Sequence, residues 1–313
     1  METKNTLRSL FVPVLIAAVL FASGTRAAYA LHALTEDAPE NAEISDEIRD
    51  ATVNLYCRLK AGKNLYSSTG SGVFIDNRGV ILTNAHVAQF FLLAGEHGRV
   101  KAHCMVRTGS PATERYTASV LYFPPTWVRD NASELVKNKP KGTGKGDFAL
   151  LYVTGAEKKN TVPRYFPTLP LSVSTDATTQ KGITIAGYPA EKLDFDGVRK
   201  KLALVTASST VTNIQSFEHN QTPDILTLAP SDAGSQGISG GPIVGSAGTV
   251  VGIVTSKNAK ETDRTLRAIT MSYIERMMQS ETAVSFDELL AEDFAVRSKA
   301  TREALPSDTL KNI

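Results

Sequence analysis

From Ala51 to Thr270 this chain is built of short apolar runs, each bounded by turn-forming or charged residues. In the first half they are Val53 to Leu59, Gly72 to Ile75, Val80 to Leu82, Val100 to Val106, Tyr116 to Phe123 and Phe148 to Val153. In the second they are Gly182 to Pro189, Leu202 to Thr212, Ile225 to Ala229, Pro242 to Val244, Val250 to Thr255 and Leu266 to Thr270. Runs this short read as strands, and their regular spacing with turn signals points to an all-β sandwich or barrel. Asp76-Asn77-Arg78-Gly79 is a turn between two runs, and Ala85 to Leu93 is apolar enough for a short helix. Pro124 to Gly144 is a long charged insertion read as irregular, and Pro163 to Pro170 a connection between the halves. Beyond Thr270 the pattern turns helical, with helices expected over Met271 to Gln279 and Phe286 to Ala304, the second N-capped by Ser285.

Three sets of residues carry chemistry. Gly237-Ile238-Ser239-Gly240-Gly241-Pro242 places a serine on a glycine-rich turn between two apolar runs. If the amides of Gly237 and Ser239 point to one side of the hydroxyl, they make a pocket for a developing oxyanion. A serine needs a base to become a nucleophile, and the base needs an orienting acceptor. Thr83-Asn84-Ala85-His86-Val87 offers the base His86, and Gly146-Asp147-Phe148-Ala149 offers the acceptor Asp147. The other histidines, His32, His97, His103 and His219, lie in no comparable motif and read as surface or packing residues. Asp130, in the insertion, and Asp76, in a turn, are rivals to Asp147 by residue type alone.

Taken together, these residues are similar to those of the chymotrypsin-like serine proteases, and within them the bacterial HtrA-type (Deg) and related secreted branch. Gly70-Ser71-Gly72-Val73-Phe74-Ile75 leading through Gly79 to Val87 resembles that family's strand, turn and histidine loop. Asp147 to Leu151 resembles its aspartate strand, and Gly237 to Pro242 followed by Val251 to Thr255 its nucleophile turn and next strand. The likeness runs from about Ala51 to Met278 and implies two packed six-stranded β-barrels, about 48–155 and 170–278, within a domain spanning 48–278. It implies that His86, Asp147 and Ser239 are catalytic, that the amides of Gly237 and Ser239 form an oxyanion hole, and that polypeptides are the substrates. No cofactor or metal is implied. An esterase using the same triad and a catalytically silent peptide-binding module are the alternatives; the order His, Asp, Ser opposes an α/β-hydrolase.

There are departures from the family. Ile238 stands where trypsin-type enzymes carry the aspartate that receives a freed amino terminus, so no zymogen switch of that kind is implied. Ala233 falls where those enzymes place a pocket-base aspartate, which disfavours Lys or Arg before the cleaved bond. Thr255, Ser256 and Lys257 are expected to line the substrate-binding edge, and a small or aliphatic side chain is the expected preference. Roughly 35 residues follow the first tail helix, fewer than the ~50 of a typical domain. The tail at 279–313 is therefore expected to be helical, with no PDZ module.

Cys57 and Cys104 can form a disulfide or stay as two buried thiols. In the barrel that the resemblance implies their strands are not nearest neighbours, which weighs toward thiols. Neither has a neighbour at metal-ligand spacing.

The 313 residues, 42% hydrophobic, suffice for one large or two medium domains. A net charge of +2, with no basic run interleaved with aromatics, argues against nucleic acid as a partner. Lys137 to Lys145, broken by glycine and proline, reads as a solvated loop. Lys4 and Arg8 precede an apolar run from Leu10 to Ala22, and Ala28-Tyr29-Ala30 is a small-x-small cleavage site. Residues 1–30 are thus expected to be a signal peptide, cleaved after Ala30, with 31–47 a flexible lead-in. The protein is expected to be periplasmic or secreted, meeting a membrane only through that segment where it stays uncleaved.

Overall fold

Alternation along a strand decides which side chains share a core, and the first strand, β1 (Thr52–Ala61), faces two of them. Val53, Leu55, Cys57 and Leu59 point into one cluster, while Tyr56 points out into another with Met105, Tyr188, Val198, Leu202 and Leu204. That double burial is why the run alternates imperfectly in sequence. In the computed structural model, which describes residues 45–61, 63–92, 100–131, 144–174, 181–218, 222–234, 236–257 and 265–305, β1 belongs to a closed antiparallel barrel. Its other strands are β2 (Asn64–Asp76), β3 (Val80–Thr83), β4 (Val100–Thr108), β5 (Thr113–Tyr122) and β6 (Ala149–Ala156), in the order β1-β2-β3-β6-β5-β4. A second closed barrel runs β10-β11-β12-β9-β8-β7. Its strands are β7 (Gly182–Gly187), β8 (Val205–Gln215), β9 (Ile225–Leu228), β10 (Pro242–Gly245), β11 (Val250–Lys257) and β12 (Leu266–Thr270). Ile183, Ile185, Val211, Leu226, Leu228, Ile243, Val254 and Leu266 fill its interior. Closure leaves neither sheet an edge, which is one way an all-β chain avoids pairing with its neighbours. The fold is therefore all-β, with two six-stranded barrels and short helices.

The expectation for the cysteines is corrected here. β1 pairs directly with β4 because the barrel closes through them, and Cys57 lies opposite Cys104 in that register. The two are joined by a disulfide.

The insertion is not wholly irregular either. Its start forms α2 (Pro125–Asn131), following α1 (Ala85–Leu92) in chain order, with Pro125 at the first helical position where its missing N–H costs nothing. Residues 132–143, with most of the lysine-rich stretch, lie outside the described residues. A further helix that the apolar pattern did not announce, α3 (Phe195–Lys200), is N-capped by Asp194.

The tail begins with α4 (Met271–Thr282), N-capped by Thr270, and Ala283 ends it in the left-handed conformation. The expected second tail helix is two: α5 (Phe286–Ala291), opened by a capping box between Ser285 and Glu288, and α6 (Phe294–Ala304). Glu292 is extended, and Asp293 starts the new helix by capping Val296 N–H. The tail returns to the first barrel. Arg78 donates to Leu290 O and sits over the Phe294 ring, Thr301 Oγ1 donates to Leu121 O, and Leu305 is buried in the first core.

Candidate active site

The histidine is placed by a helix start. Asn84 O accepts from Val87 N and Ala88 N, opening α1, and Val87, Ala88 and Phe91 bury that helix in the first core. His86 follows one residue into it, with 24% of its side chain exposed. Asp147 lies two residues before β6, in a turn where Gly146 N–H donates to Tyr273 Oη of α4 at 2.9 Å. Asn84 Nδ2 donates to Asp147 O at 2.8 Å, so the residue that opens the histidine helix also grips the aspartate.

Asp147 then meets His86 twice. Its Oδ1 accepts the His86 backbone N–H at 3.0 Å, and its Oδ2 lies 2.8 Å from Nδ1. A carboxylate only accepts, so Nδ1 is the donor and Nε2 is left with its lone pair. Burial opposes the charged imidazolium, but the charge and the hydrogen bond of Asp147 outweigh it, so the His86 pKa is raised above 6.5. The rival aspartates are engaged elsewhere. Asp76 is bound to Arg78 within its own turn, and Asp130 is exposed on α2, paired with Arg129. His103 is exposed beside Glu157 at 3.8 Å, and His32, His97 and His219 lie outside the described residues.

Ser239 sits on the turn that enters β10, tied to the same frame. Its C=O accepts from Ser71 N at 2.7 Å, and Ser71 O accepts from Thr83 Oγ1 at 2.7 Å, three residues before His86. Its hydroxyl donates to Thr255 O at 3.4 Å, and among the described residues no hydrogen bond joins it to His86. The turn needs glycine at Gly237, whose φ is +99° and whose Cβ would fall 2.5 Å from Tyr188 O. Gln236 O accepts from Ala190 N, and Ile238 O accepts from Gly241 N. Because a trans peptide sets C=O and N–H antiparallel, the amides of Gly237 and Ser239 point opposite to these two bonds. Among the described residues neither amide has an acceptor.

The remaining expected residues are distributed as follows. Ala233 and Ile238 are buried in the second core, Ile238 against Gly187. Thr255 is buried, and its Oγ1 donates to Arg267 O at 3.3 Å. The backbone of Ser256 and Lys257 ends β11, paired with Arg267 and Leu266; their side chains lie outside the described residues. Three supporting residues were not singled out by sequence: Asn84, Tyr273 and Ser71. Asn84 and Ser71 lie inside motifs that were recognised, but Tyr273 is 126 positions from Asp147 by residue number and only the fold brings it near.

No group of three or more metal-ligating side chains occurs among the described residues.

Comparison with known proteins gives the family. Residues 70–253 match the family model described as a trypsin-like peptidase domain. An uncharacterized protein of Sinorhizobium fredii (strain NGR234), y4bJ, is 27% identical over 198 residues, covering 62% of this chain and 23% of that protein. The chain thus spans less than a quarter of the length of that curated relative. Among solved structures, the active form of the Rv3671c protease of M. tuberculosis is 20% identical with a TM-score of 0.46, covering 80% of this chain and 88% of that one. An inactive form of Rv3671c is 18% identical with a TM-score of 0.47, covering 77% and 91%. With its family model matched from Gly70 to Ile253, more than half its length, this chain belongs to the trypsin-like peptidase domain family.

Proposed function

We propose that the protein is an exported serine endopeptidase that cleaves peptide bonds through His86, Asp147 and Ser239. The observation that carries this is the double contact between Asp147 and His86, which leaves Nε2 as a free base in the hydrogen-bonded frame that also holds Ser239. Ser239 Oγ turns from Thr255 O to Nε2 and attacks the carbonyl carbon as its proton passes to His86. Catalytic hydrogen bonds of this kind are often long in a free enzyme and tighten with substrate. The developing oxyanion is taken by the amides of Gly237 and Ser239, and losing one such donor typically costs ~10²–10³ in kcat. His86 then gives its proton to the departing amine as the C–N bond breaks, leaving an acyl-enzyme. A water, deprotonated by His86, hydrolyses that ester and restores Ser239.

Export rests on residues 1–30, which lie outside the described residues. For specificity, the buried Ala233 brings no carboxylate to the second core, in keeping with a small or aliphatic side chain before the cleaved bond.

The second reading, a silent peptide-binding module, is favoured by the Ser239 bond to Thr255 O in place of His86. A fluorophosphonate probe separates the two, because it reacts only with an activated serine. Labelling of wild type beside unlabelled Ser239→Ala supports the hydrolase, and an unlabelled wild type rejects it. Cleavage of small esters with no cleavage of casein would make the enzyme an esterase.

A further inference from the structure

Ser71 is fully buried on β2 of the first barrel, yet all its polar groups but one serve the nucleophile turn of the second. Its N–H donates to Ser239 O at 2.7 Å. Its hydroxyl accepts from Tyr188 N at 2.9 Å and donates to Gly237 O at 2.8 Å. A hydroxyl has one proton, so with Tyr188 N–H on a lone pair, that proton is committed to Gly237 O.

The consequence lies in the sequence of peptide units. The carbonyls of Gln236, Gly237, Ile238 and Ser239 are held in turn by Ala190 N, Ser71 Oγ, Gly241 N and Ser71 N. Only the Gly237 carbonyl is held by a side chain. It belongs to the peptide between the amides of Gly237 and Ser239, and rotating that peptide redirects both of its neighbours. Gly237 has no Cβ to resist the rotation. Ile238 brings no charge to hold the turn, since its side chain is packed in the second core.

We propose that Ser71 is a positioning residue that locks the Gly237–Ser239 turn in its oxyanion-binding form from the opposite barrel. It does the ordering for which Ile238 has no carboxylate. The proposal rests on the hydrolase reading above.

The test uses Ser71→Ala and Ser71→Cys, the second keeping the shape with only a weak donor. Thr52→Val serves as a control, since it removes the buried hydroxyl bond from Thr52 of β1 to Ile48 O, which involves no residue of the turn. For each protein the fluorophosphonate inactivation rate, the thermal midpoint, and kcat and KM on an alanine peptide p-nitroanilide are measured. Inhibition by the matching peptide aldehyde, whose hemiacetal oxygen needs the same amides, completes the set.

Expected for Ser71→Ala is a fall of about 10²-fold in kcat and in inactivation rate, the order seen when a reacting geometry is misplaced by ~1 Å. KM should stay near wild type, the aldehyde should weaken in parallel with kcat/KM, and Ser71→Cys should fall between. Thr52→Val should lose thermal stability while keeping its rates. Rates unchanged in Ser71→Ala, or equal losses in Thr52→Val, would overturn the proposal. So would failure of both Ser71 variants to fold where Thr52→Val folds, which would make Ser71 a structural residue. A wild type that the probe does not label would instead overturn the hydrolase reading, and this one with it.

Discussion

Asp147 grips His86 at both ends of its geometry, the backbone N–H through Oδ1 at 3.0 Å and the ring Nδ1 through Oδ2 at 2.8 Å. Two contacts fix both the position of the residue and the tilt of its ring, so one tautomer is favoured. The same contacts set where the ring titrates.

The first prediction concerns pH. Attack requires a neutral imidazole, so kcat/KM should fall as pH drops through the His86 pKa in the free enzyme. Burial pulls that pKa down, but Asp147 pulls it up by more, so the acid limb should lie above pH 6.5. The linked effect on stability has the opposite sense. A raised pKa in the folded state adds stability that is fully present below about pH 6.5 and is lost as pH rises through the folded value. A kcat/KM profile with its limb below 6.5 would contradict the assignment of Asp147 as the partner.

Asp147→Asn should keep the shape of the acceptor, remove its charge and favour the wrong tautomer. In the chymotrypsin-type template this change lowers kcat by ~10⁴, and a loss of that kind is expected here. The acid limb should also move down, because burial is the influence that remains. Asp130→Asn, on the exposed face of α2, should leave kcat near wild type. Steady-state kinetics of the two variants decide the matter, and a reversed pattern would reassign the aspartate.

The disulfide gives a prediction about stability alone. Cys57 and Cys104 are 47 positions apart, and closing a loop of that length removes denatured-state entropy equivalent to about 4 kcal/mol in the chain-entropy model. Measured values often fall short, so replacing both cysteines with serine should cost roughly 2–4 kcal/mol. Denaturant unfolding with and without reductant reads this directly. Reductant should lower wild type toward the variant and leave the variant unmoved; a variant as stable as oxidised wild type would show that the crosslink adds nothing.

The barrels were legible in the sequence because their inward positions recur every second residue and turn residues bracket each run. Val53, Leu55, Cys57 and Leu59 follow that rule, and even the exception, Tyr56, is explained by the separate cluster it shares with Met105 and Tyr188. Closure was not legible. Which strands meet at the seam depends on barrel order, and so in sequence the strands of Cys57 and Cys104 read as not neighbouring and the bridge between them stays one of two alternatives. The helix at Pro125 to Asn131 was hidden inside the charged insertion whose start it forms. The break at Glu292 was hidden by a helical pattern that runs on across it, although Asp293 is a good N-cap. Of the candidate site, His86, Asp147 and Ser239 sit in short motifs, and so does Ser71, but the bonds of Ser71 to Gly237 and Ser239 and of Gly146 to Tyr273 join segments far apart in sequence and leave no local pattern.

Ile238 offers the last prediction. Its side chain is 2% exposed among Ile183, Ile243, Val254 and other apolar residues of the second barrel, next to Ser239 in the chain. Ile238→Val removes one methylene from a packed site and should cost about 0.5–1.5 kcal/mol with little effect on kcat. Ile238→Asp restores the residue type that trypsin-like enzymes use at this place, but here the carboxylate would be buried in an apolar core. Burying an unpaired charge is costly enough that the group neutralises or the turn moves out toward water. Moving the turn displaces the amides of Gly237 and Ser239, so kcat should collapse even where the protein remains folded. Thermal unfolding and fluorophosphonate labelling of the two variants measure both effects. An Ile238→Asp protein with wild-type labelling would mean that a charged partner lies within reach of this position, and that the turn is held by more than the apolar core and its hydrogen bonds.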